Sequence, residues 1–295
     1  MTTTRRLETA ADIDALIGVV AALEGCTLEQ ANGFVDGLRE SLGDTFEDSL
    51  VFAVQQLEIV GAVVLRPMPM GHLELFGGVP KHPDRHAISL ALLRGARVAA
   101  PKAVLATFAS DLYWEVSTLE LLGFREVAQY QRLQATAPHL EAIALPAGFT
   151  ISSYADHPDL AGLVAGLRCY EDLWGHHRVD ATQVEAGLSN YDAALIWLAR
   201  DAQGGVAGVC RATLSDGKAW IDAPGVQTDS RNRNLNLHRA LLGHALHALS
   251  ARGATTFTLE SWGEIDANSA DYLELGFEVL ESEAIVAWGD SSLEH

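Results

Sequence analysis

The fold of this chain is decided by the stretch Arg231-Asn232-Arg233-Asn234-Leu235-Asn236 and by the elements on either side of it. Before it lies a strand-like run, Lys218 to Val226, which ends in a Pro-Gly break. After it, apolar residues recur at helical spacing as far as Gly253. We therefore predict that a strand ends, a short polar loop turns, and a long helix begins at that loop.

The start of such a helix can bind an anion. The first amides of a helix have no partners within the helix, and the helix dipole adds partial positive charge at the same end. The turn before Leu237 is therefore a generic cradle for a phosphate or pyrophosphate group. A second strand, Thr255 to Glu260, and a short helix that reaches Tyr272 are predicted to follow.

This order of elements, with Arg231 at the head of the loop and Tyr272 before Gly276-Phe277, resembles the acetyl-CoA-binding core of the GNAT superfamily of N-acetyltransferases. The family carries an Arg-x-x-Gly-x-Gly loop, in which glycine lets the backbone approach the pyrophosphate closely. Asparagines stand at the glycine positions of this chain, and asparagine is the next best residue for left-handed backbone. The resemblance implies acetyl-CoA as co-substrate.

The resemblance also implies which residues bind that co-substrate. They lie at the strand end, in the loop and on the following short helix: Gly225, Val226, Gln227, Arg231, Asn232, Arg233, Asn234, Leu235, Asn236 and Asn268.

The chemistry implied by the resemblance is direct attack of a neutral amine on the thioester, with no covalent enzyme intermediate. A backbone amide among Gly225 to Gln227 would stabilise the negative charge on the carbonyl oxygen. Tyr272 stands at the family's position for protonating the departing thiolate, and packing beside Phe277 is its alternative role. The amine needs a base, and Asp222 and Glu260, two acids at strand ends, are the candidates.

Acceptor selection in this fold is assigned to the segment Tyr170 to Arg178, which is rich in aromatic and ionisable groups. We predict that Glu171, Trp174, His176 and His177 contact an amine-bearing substrate, while a lid over the core is the alternative role of Trp174. The histidine pairs in the chain have no obvious third ligand, so no metal is expected.

Length and element order predict two copies of one α/β domain. The 295 residues are too many for one ordinary domain. Arg85 to Ala99 is predicted as the first copy's long helix, Leu112 to Leu122 as a shorter one, and Val127 to Leu133 as its last strand. Thr27 to Gln30 reads as a capping box, and Glu278 to Trp288 as the strand that closes the second copy.

We therefore predict an α/β (α+β) fold with two tandem GNAT-like domains, each a mixed, mostly antiparallel sheet flanked by helices, similar to mycothiol synthase. The predicted limits are 1–134 for the first domain, 135–148 for a linker and 149–290 for the second domain. The first copy has Pro83 in its loop and Leu119 at the position of Tyr272, so we expect a structural or substrate-wall role for it. Residues 293–295 resemble the start of an expression tag.

The charge balance excludes several partners. The net charge is -19, and such a surface repels nucleic acid and anionic lipid but tolerates a cationic amine. Three widely spaced cysteines without a CxxC pair predict free thiols in a reducing, cytoplasmic compartment.

The leading hypothesis is an acetyl-CoA-dependent N-acetyltransferase of a small amine, with the C-terminal domain active, as a monomer or homodimer. A degenerate tandem protein that binds CoA or another ligand without turnover is the alternative, and the asparagine substitutions favour it. An interaction protein independent of acyl-CoA is a third hypothesis.

Overall fold

The computed structural model describes residues 2–69, 71–139, 143–227, 236–264 and 266–289, without the side chains of 264 and 266–269. The chain packs into two compact units, the first formed by Met1–Val127 with Glu283–His295 and the second by Ala128–Ser282. Within the described parts, no helix is both long and apolar enough to cross a lipid bilayer.

Strands and helices alternate along the chain. The strands are β1 Thr2–Arg5, β2 Leu50–Gln55, β3 Glu58–Pro67, β4 Leu73–Gly78, β5 Leu105–Phe108, β6 Arg125–Ala135, β7 Thr150–Ser153, β8 Ile196–Arg200, β9 Val206–Ser215, β10 Lys218–Val226, β11 Thr256–Glu264 and β12 Glu278–Trp288. The helices are α1 Ala11–Glu24, α2 Leu28–Leu42, α3 Arg85–Ala99, α4 Val116–Leu122, α5 Leu160–Leu167, α6 Ala181–Gly187, α7 Leu237–Ala251 and α8 Asp266–Glu274.

Local sequence signals explain several helix boundaries. The predicted capping box is confirmed, because the Thr27 side chain accepts from the Gln30 amide and the Gln30 side chain accepts from the Thr27 amide. Helix α3 has the predicted limits. The predicted helix Leu112 to Leu122 is too long at its start, since α4 begins only at Val116.

In the first unit, the strands are ordered β1-β2-β3-β4-β5 followed by β12. Among the strand pairs described for this unit, only β4 and β5 run parallel. The last strand of the chain enters this unit through Ile285 to Trp288, which pair with Phe108 to Leu105 of β5.

In the second unit, the order is β6-β11-β10-β9-β8-β7, and only β10 and β11 run parallel. Alternate residues of the strands face opposite sides. On one side Ala219, Ile221 and Ala223 of β10 pack into a core with α7, Tyr272 and Phe277. On the other side α5 packs with Tyr170 against Ile196 and Val209. We call these the α7 face and the α5 face.

The compact units do not coincide with the predicted domain limits 1–134 and 149–290. Strand β6, expected to end the first half, pairs through Gln129 to Ala135 with β11 of the second unit. The expected linker also packs there, since the His139 amide donates to the Leu275 carbonyl. An alternating strand pattern shows which face is apolar but does not show which sheet edge the strand joins.

Candidate functional site

The parallel strands β10 and β11 separate in the middle of the second unit. They pair from Lys218 with Thr256 as far as Asp222 with Glu260. Beyond that point β10 continues along β9, and β11 continues along β6. The two strands therefore form a fork, with Asp222 and Glu260 side by side where it opens.

A bulge in β10 accompanies the opening of the fork. The register between β9 and β10 shifts between Asp222 and Gly225. Pro224 lies inside this shift, where a residue without an N–H is tolerated because ladder pairing is interrupted. The Tyr170 hydroxyl donates to the Ala223 carbonyl over 2.8 Å. A Cβ on Gly225 would lie 2.9 Å from the Tyr170 ring, so this close approach requires glycine.

Strand alternation assigns different directions to the three predicted backbone donors. The Gln227 amide donates to the Ala207 carbonyl over 3.0 Å. Because amides alternate along an antiparallel ladder, the Val226 amide faces away from β9, whereas the Gly225 amide lies by the Tyr170 hydroxyl. Val226 therefore directs its N–H into the fork, whereas Gln227 is anchored to β9.

A row of four charged residues crosses the α5 face in register. Arg211 pairs with Asp222, Asp222 with Glu260, and Glu260 with Arg132 on neighbouring strands. Arg211 binds Asp222 over 2.6 Å, and the Tyr130 hydroxyl donates to Glu260 over 3.1 Å. Each carboxylate thus has a partner that positions it at the opening of the fork.

The environment changes the proton affinity of groups around this row. Burial, together with the neighbouring Glu260 carboxylate, raises the pKa of Tyr130. Burial acts to lower the pKa of Arg211, but Asp222 and two nearby tyrosines outweigh it and raise that pKa. Arg211 therefore stays charged and keeps Asp222 in place.

The segment after α5 bridges the two arms of the fork. Tyr170 contacts β10, and the His176 ring stacks on it with centroids 5.0 Å apart. His176 Nε2 lies 3.1 Å from the Trp262 carbonyl oxygen on β11. Gly263 has φ +74°, and a Cβ there would lie 2.0 Å from the Trp174 carbonyl oxygen.

The four predicted acceptor residues differ in position. His176 lies at the fork, and His177 is exposed at the border of a cavity of about 410 Å³ that Tyr170 and Arg211 also line. Glu171 closes its own loop by accepting from the Val179 amide over 2.6 Å. Trp174 is 7% exposed, and its backbone lies against Gly263 of β11.

Tyr272 lies on the α7 face of the fork's unit. Its side chain is 0% exposed, and its hydroxyl lies 3.0 Å from Nε2 of His238 on the first turn of α7. Asn236 caps that helix in the left-handed region with φ 52° and makes no side-chain cap bond. Predicted cofactor residues Arg231 to Leu235 lie outside the described residues, as does the side chain of Asn268.

Several solved structures resemble this chain over nearly its whole length. No protein-family model matches the sequence, and no curated protein does. A GCN5-related N-acetyltransferase from Sphaerobacter thermophilus matches with TM-score 0.56 and 20% identity, over 97% of this chain and 95% of that one. A tandem GNAT protein from the clavulanic acid biosynthesis pathway matches with TM-score 0.53 and 14% identity, over 98% of both chains. A GCN5-related N-acetyltransferase from Anabaena variabilis reaches 0.62 at 9% identity, over 97% and 72%.

The chain has the GNAT fold. The fold class predicted from the sequence is thereby confirmed. Strands β10 and β11 and helix α7 correspond to the two strands and the long helix on which the resemblance to this family rests.

The first unit has the same GNAT fork, but its own chain occupies it. Strands β4 and β5 pair in parallel only at Leu73 with Leu105 and Glu74 with Ala106. Past that point the Val79 amide donates to the Tyr113 carbonyl over 2.9 Å. A Cβ on Gly78 would lie 2.2 Å from that same oxygen, so no gap separates the two backbones.

Further contacts fix this filling segment. Trp114 is 0% exposed and donates from its indole nitrogen to Thr107 Oγ1 over 2.9 Å. Arg85, the counterpart of Arg231, donates to the carbonyls of Val79, Asp111 and Leu112. The Arg85 side chain is thus bound to backbone oxygens of its own unit.

Sequence reasoning missed Arg211, Tyr130 and His238, and it included Tyr170 only as the first residue of the acceptor segment. Arg211 and Tyr130 become visible once the strand register is known, because both lie on the α5 face beside a predicted acid. His238 follows the loop directly, yet nothing in the sequence joins it to Tyr272.

Cysteine nucleophiles and metal ligands are two other sources of chemistry in such a site. Burial raises the pKa of the Cys169 thiol to about 12, and also raises that of Cys210, so neither is a ready nucleophile at neutral pH. Among the residues whose positions are described, no group of three or more His, Cys, Asp or Glu side chains could hold a metal ion.

Proposed function

We propose that this protein is an acetyl-CoA-dependent N-acetyltransferase that acetylates a small amine at the fork of its second unit. The observation that carries the proposal is the pairing of Asp222 with Glu260 where β10 and β11 separate, with the Val226 amide directed into the gap. A backbone donor and two carboxylates at one opening are the groups that acyl transfer to an amine requires.

In this proposal the proton acceptor and the proton donor lie on opposite faces of the sheet. Asp222 or Glu260, on the α5 face, accepts the proton of the ammonium group, directly or through water. The amine nitrogen then forms a bond to the thioester carbon, and the Val226 N–H stabilises the oxygen that becomes negative. As the carbon–sulfur bond breaks, Tyr272 on the α7 face gives its proton to the departing thiolate, and the second proton lost by the nitrogen passes to water and restores the tyrosine.

The residues near α7 fit the co-substrate in part. Asn236 takes the left-handed backbone that glycine adopts most readily, and the first amides of a helix such as α7, which have no partners within the helix, can bind a diphosphate. Arg231 and Arg233 would add charge-assisted bonds to the phosphates. Acetyl-CoA would supply the activated acyl group.

The second unit is proposed as the active one because the first unit's fork is filled. The bond from Val79 to Tyr113 and the contact at Gly78 occupy the gap that a pantetheine arm would need. Leu119, at the position of Tyr272, is buried and has no proton to give. We infer a structural role for this unit.

Binding and turnover are tested separately. Acetyl-CoA at millimolar concentration should raise the melting temperature by several degrees, because it binds only the folded state. Thiol release with an amine panel should fall about 10²-fold or more in Asp222→Asn or Glu260→Gln. The control is Glu278→Gln, an exposed acid at the start of β12, which should retain activity. No thermal shift with acetyl-CoA would overturn the proposal.

A CoA-binding protein without turnover is the second candidate, favoured by one observation. Tyr272 is wholly buried with its hydroxyl bonded to His238, so its proton is not at an open surface. This candidate predicts a thermal shift with both CoA and acetyl-CoA but no thiol release with any amine.

A further inference from the structure

We infer that the acceptor is a primary amine on an apolar or aromatic body, which occupies the cavity beside α5 while its amine lies against Asp222. This inference rests on the proposed acetyl transfer and specifies its substrate class. The cavity of about 410 Å³ falls within the size range of small-molecule sites, roughly 300–1,000 Å³.

The walls of the cavity are apolar. Helix α5, helix α6 with the turn after it, and strand β8 supply them: Leu163, Leu167, Val184, Leu188, Tyr191 and Ile196. Leu163 and Ile196 are each 1% exposed. The polar lining residues Arg178, Asp180 and Gln183 are exposed, so they form a rim in water. An apolar body is stabilised by leaving water here. The lining also holds the Arg211 Nε, which is buried and bonds to none of the described residues.

Two side chains connect this cavity with the fork. Arg211 lines the cavity and binds Asp222 over 2.6 Å. Tyr170 lines it too, and reaches the Ala223 carbonyl and Gly225 on the bulge. A ligand body in the cavity therefore lies one side chain away from the carboxylate proposed as base.

The charges favour a single cationic centre. Asp222 and Glu260 lie side by side on neighbouring strands. The lining of the cavity itself contains two arginines, Arg178 and Arg211, and one acid, Asp180. A polyamine would bring several positive charges to such a wall. An amino sugar would place many hydroxyl groups against aliphatic side chains that cannot bond them. An arylalkylamine has one charge and one apolar body.

The first experiment compares kcat/KM across amines at saturating acetyl-CoA. From 2-phenylethylamine to 4-phenylbutylamine, each added methylene should raise kcat/KM about fourfold while the cavity accommodates it. Spermidine and glucosamine should be at least about tenfold poorer than the phenylalkylamines. Equal or better rates with either of them would overturn the inference and leave the acetyltransferase proposal intact.

The second experiment fills the cavity. Val184→Phe should raise KM for the phenylalkylamines about tenfold or more, and by a much larger factor than it changes KM for methylamine, which has no body to place in the cavity. The matched control is Val98→Phe on α3, where the valine is 80% exposed. Leu188→Ala, which enlarges the cavity, should shift the optimum to a longer chain. No change of preference in either cavity variant would contradict the inference.

A binding measurement separates this inference from the proposed function. Calorimetric titration of 4-phenylbutylamine into the whole protein needs no turnover. Saturable binding that Val184→Phe weakens supports the inference even where no amine is acetylated, and in that case the acetyltransferase proposal alone fails. Absence of binding in the wild-type protein, with acetyl-CoA present or absent, would overturn the inference.

Discussion

At the scale of single residues, the contact between Tyr272 and His238 joins the proposed proton donor to the packed core of the second unit. Tyr272→Phe preserves the ring in a fully buried position but removes the hydroxyl that lies 3.0 Å from His238 Nε2. We expect kcat to fall about 10²-fold, since one general acid is lost. Stability should fall by about 1–3 kcal/mol, because His238 loses a buried partner.

His238→Gln and His238→Leu separate the two effects. Glutamine can bond the Tyr272 hydroxyl and leucine cannot, so the Gln variant should retain more activity and shift the alkaline limb of the pH–rate profile less. Thiol release and urea unfolding would be measured for all three variants. Unchanged kcat in Tyr272→Phe would show that the tyrosine only packs beside Phe277.

His72 makes a residue-scale prediction about pH. Its side chain is 2% exposed, and burial lowers its pKa from 6.5 to about 4. Between these values the unfolded chain binds a proton that the folded chain does not, so stability is lost as pH falls from about 6.5 to about 4 and levels off below. The gap corresponds to at most about 3 kcal/mol.

The measurement is urea unfolding at pH 7 and pH 4.5. His72→Gln, which cannot titrate, should lose less stability over this interval than the wild-type protein does. His157→Gln, at an exposed position, is the control and should follow the wild type. An identical pH dependence in His72→Gln and the wild type would contradict the prediction.

At the scale of elements, β11 must bend where the segment after α5 crosses it. Gly263 has φ +74° and Gly253 has φ +89°, so alanine strains both, at about 1–2 kcal/mol. Only Gly263→Ala also drives a Cβ into the Trp174 backbone, since Gly253 has no atom within 4 Å of that position. Gly263→Ala should therefore destabilise the protein more than Gly253→Ala, as measured by urea unfolding. Equal losses would mean that the Trp174 segment does not lie against β11.

Elements with a complete local signal could be predicted from the sequence, and elements that depend on a distant partner could not. Strand β10 and helix α3 have the predicted bounds because each carries its own periodicity and stop signals. Residues Leu112 to Glu115 read as helix, yet the Tyr113 carbonyl serves Val79 instead. Asp222 and Glu260 were predicted as strand-end acids, but only the parallel register shows that they are neighbours. Arg211 stands in an apolar strand, with nothing nearby in sequence to indicate its partner.

At the scale of the whole molecule, each compact unit contains a strand that the other half of the sequence encodes. Strand β6 precedes the predicted linker but pairs with β11, and Ile285 to Trp288 end the chain but pair with β5. Arg97 reinforces the pairing with β5, because it donates to the Trp288 carbonyl and its guanidinium lies over the Trp288 ring, 4.3 Å from the centroid. A cut at the predicted boundary therefore removes one strand from each unit.

The last prediction follows from that exchange. Fragments 1–134 and 135–295, produced separately, should each expose an unpaired strand edge, at β5 and at β11, and should aggregate or lack native circular dichroism. Produced together, they should recover a folded complex, because every strand then has its partner. The uncut chain, produced and refolded in the same way, is the control. Two independently folded, soluble fragments would show that the predicted domain limits, and not the exchanged strands, define the units that fold.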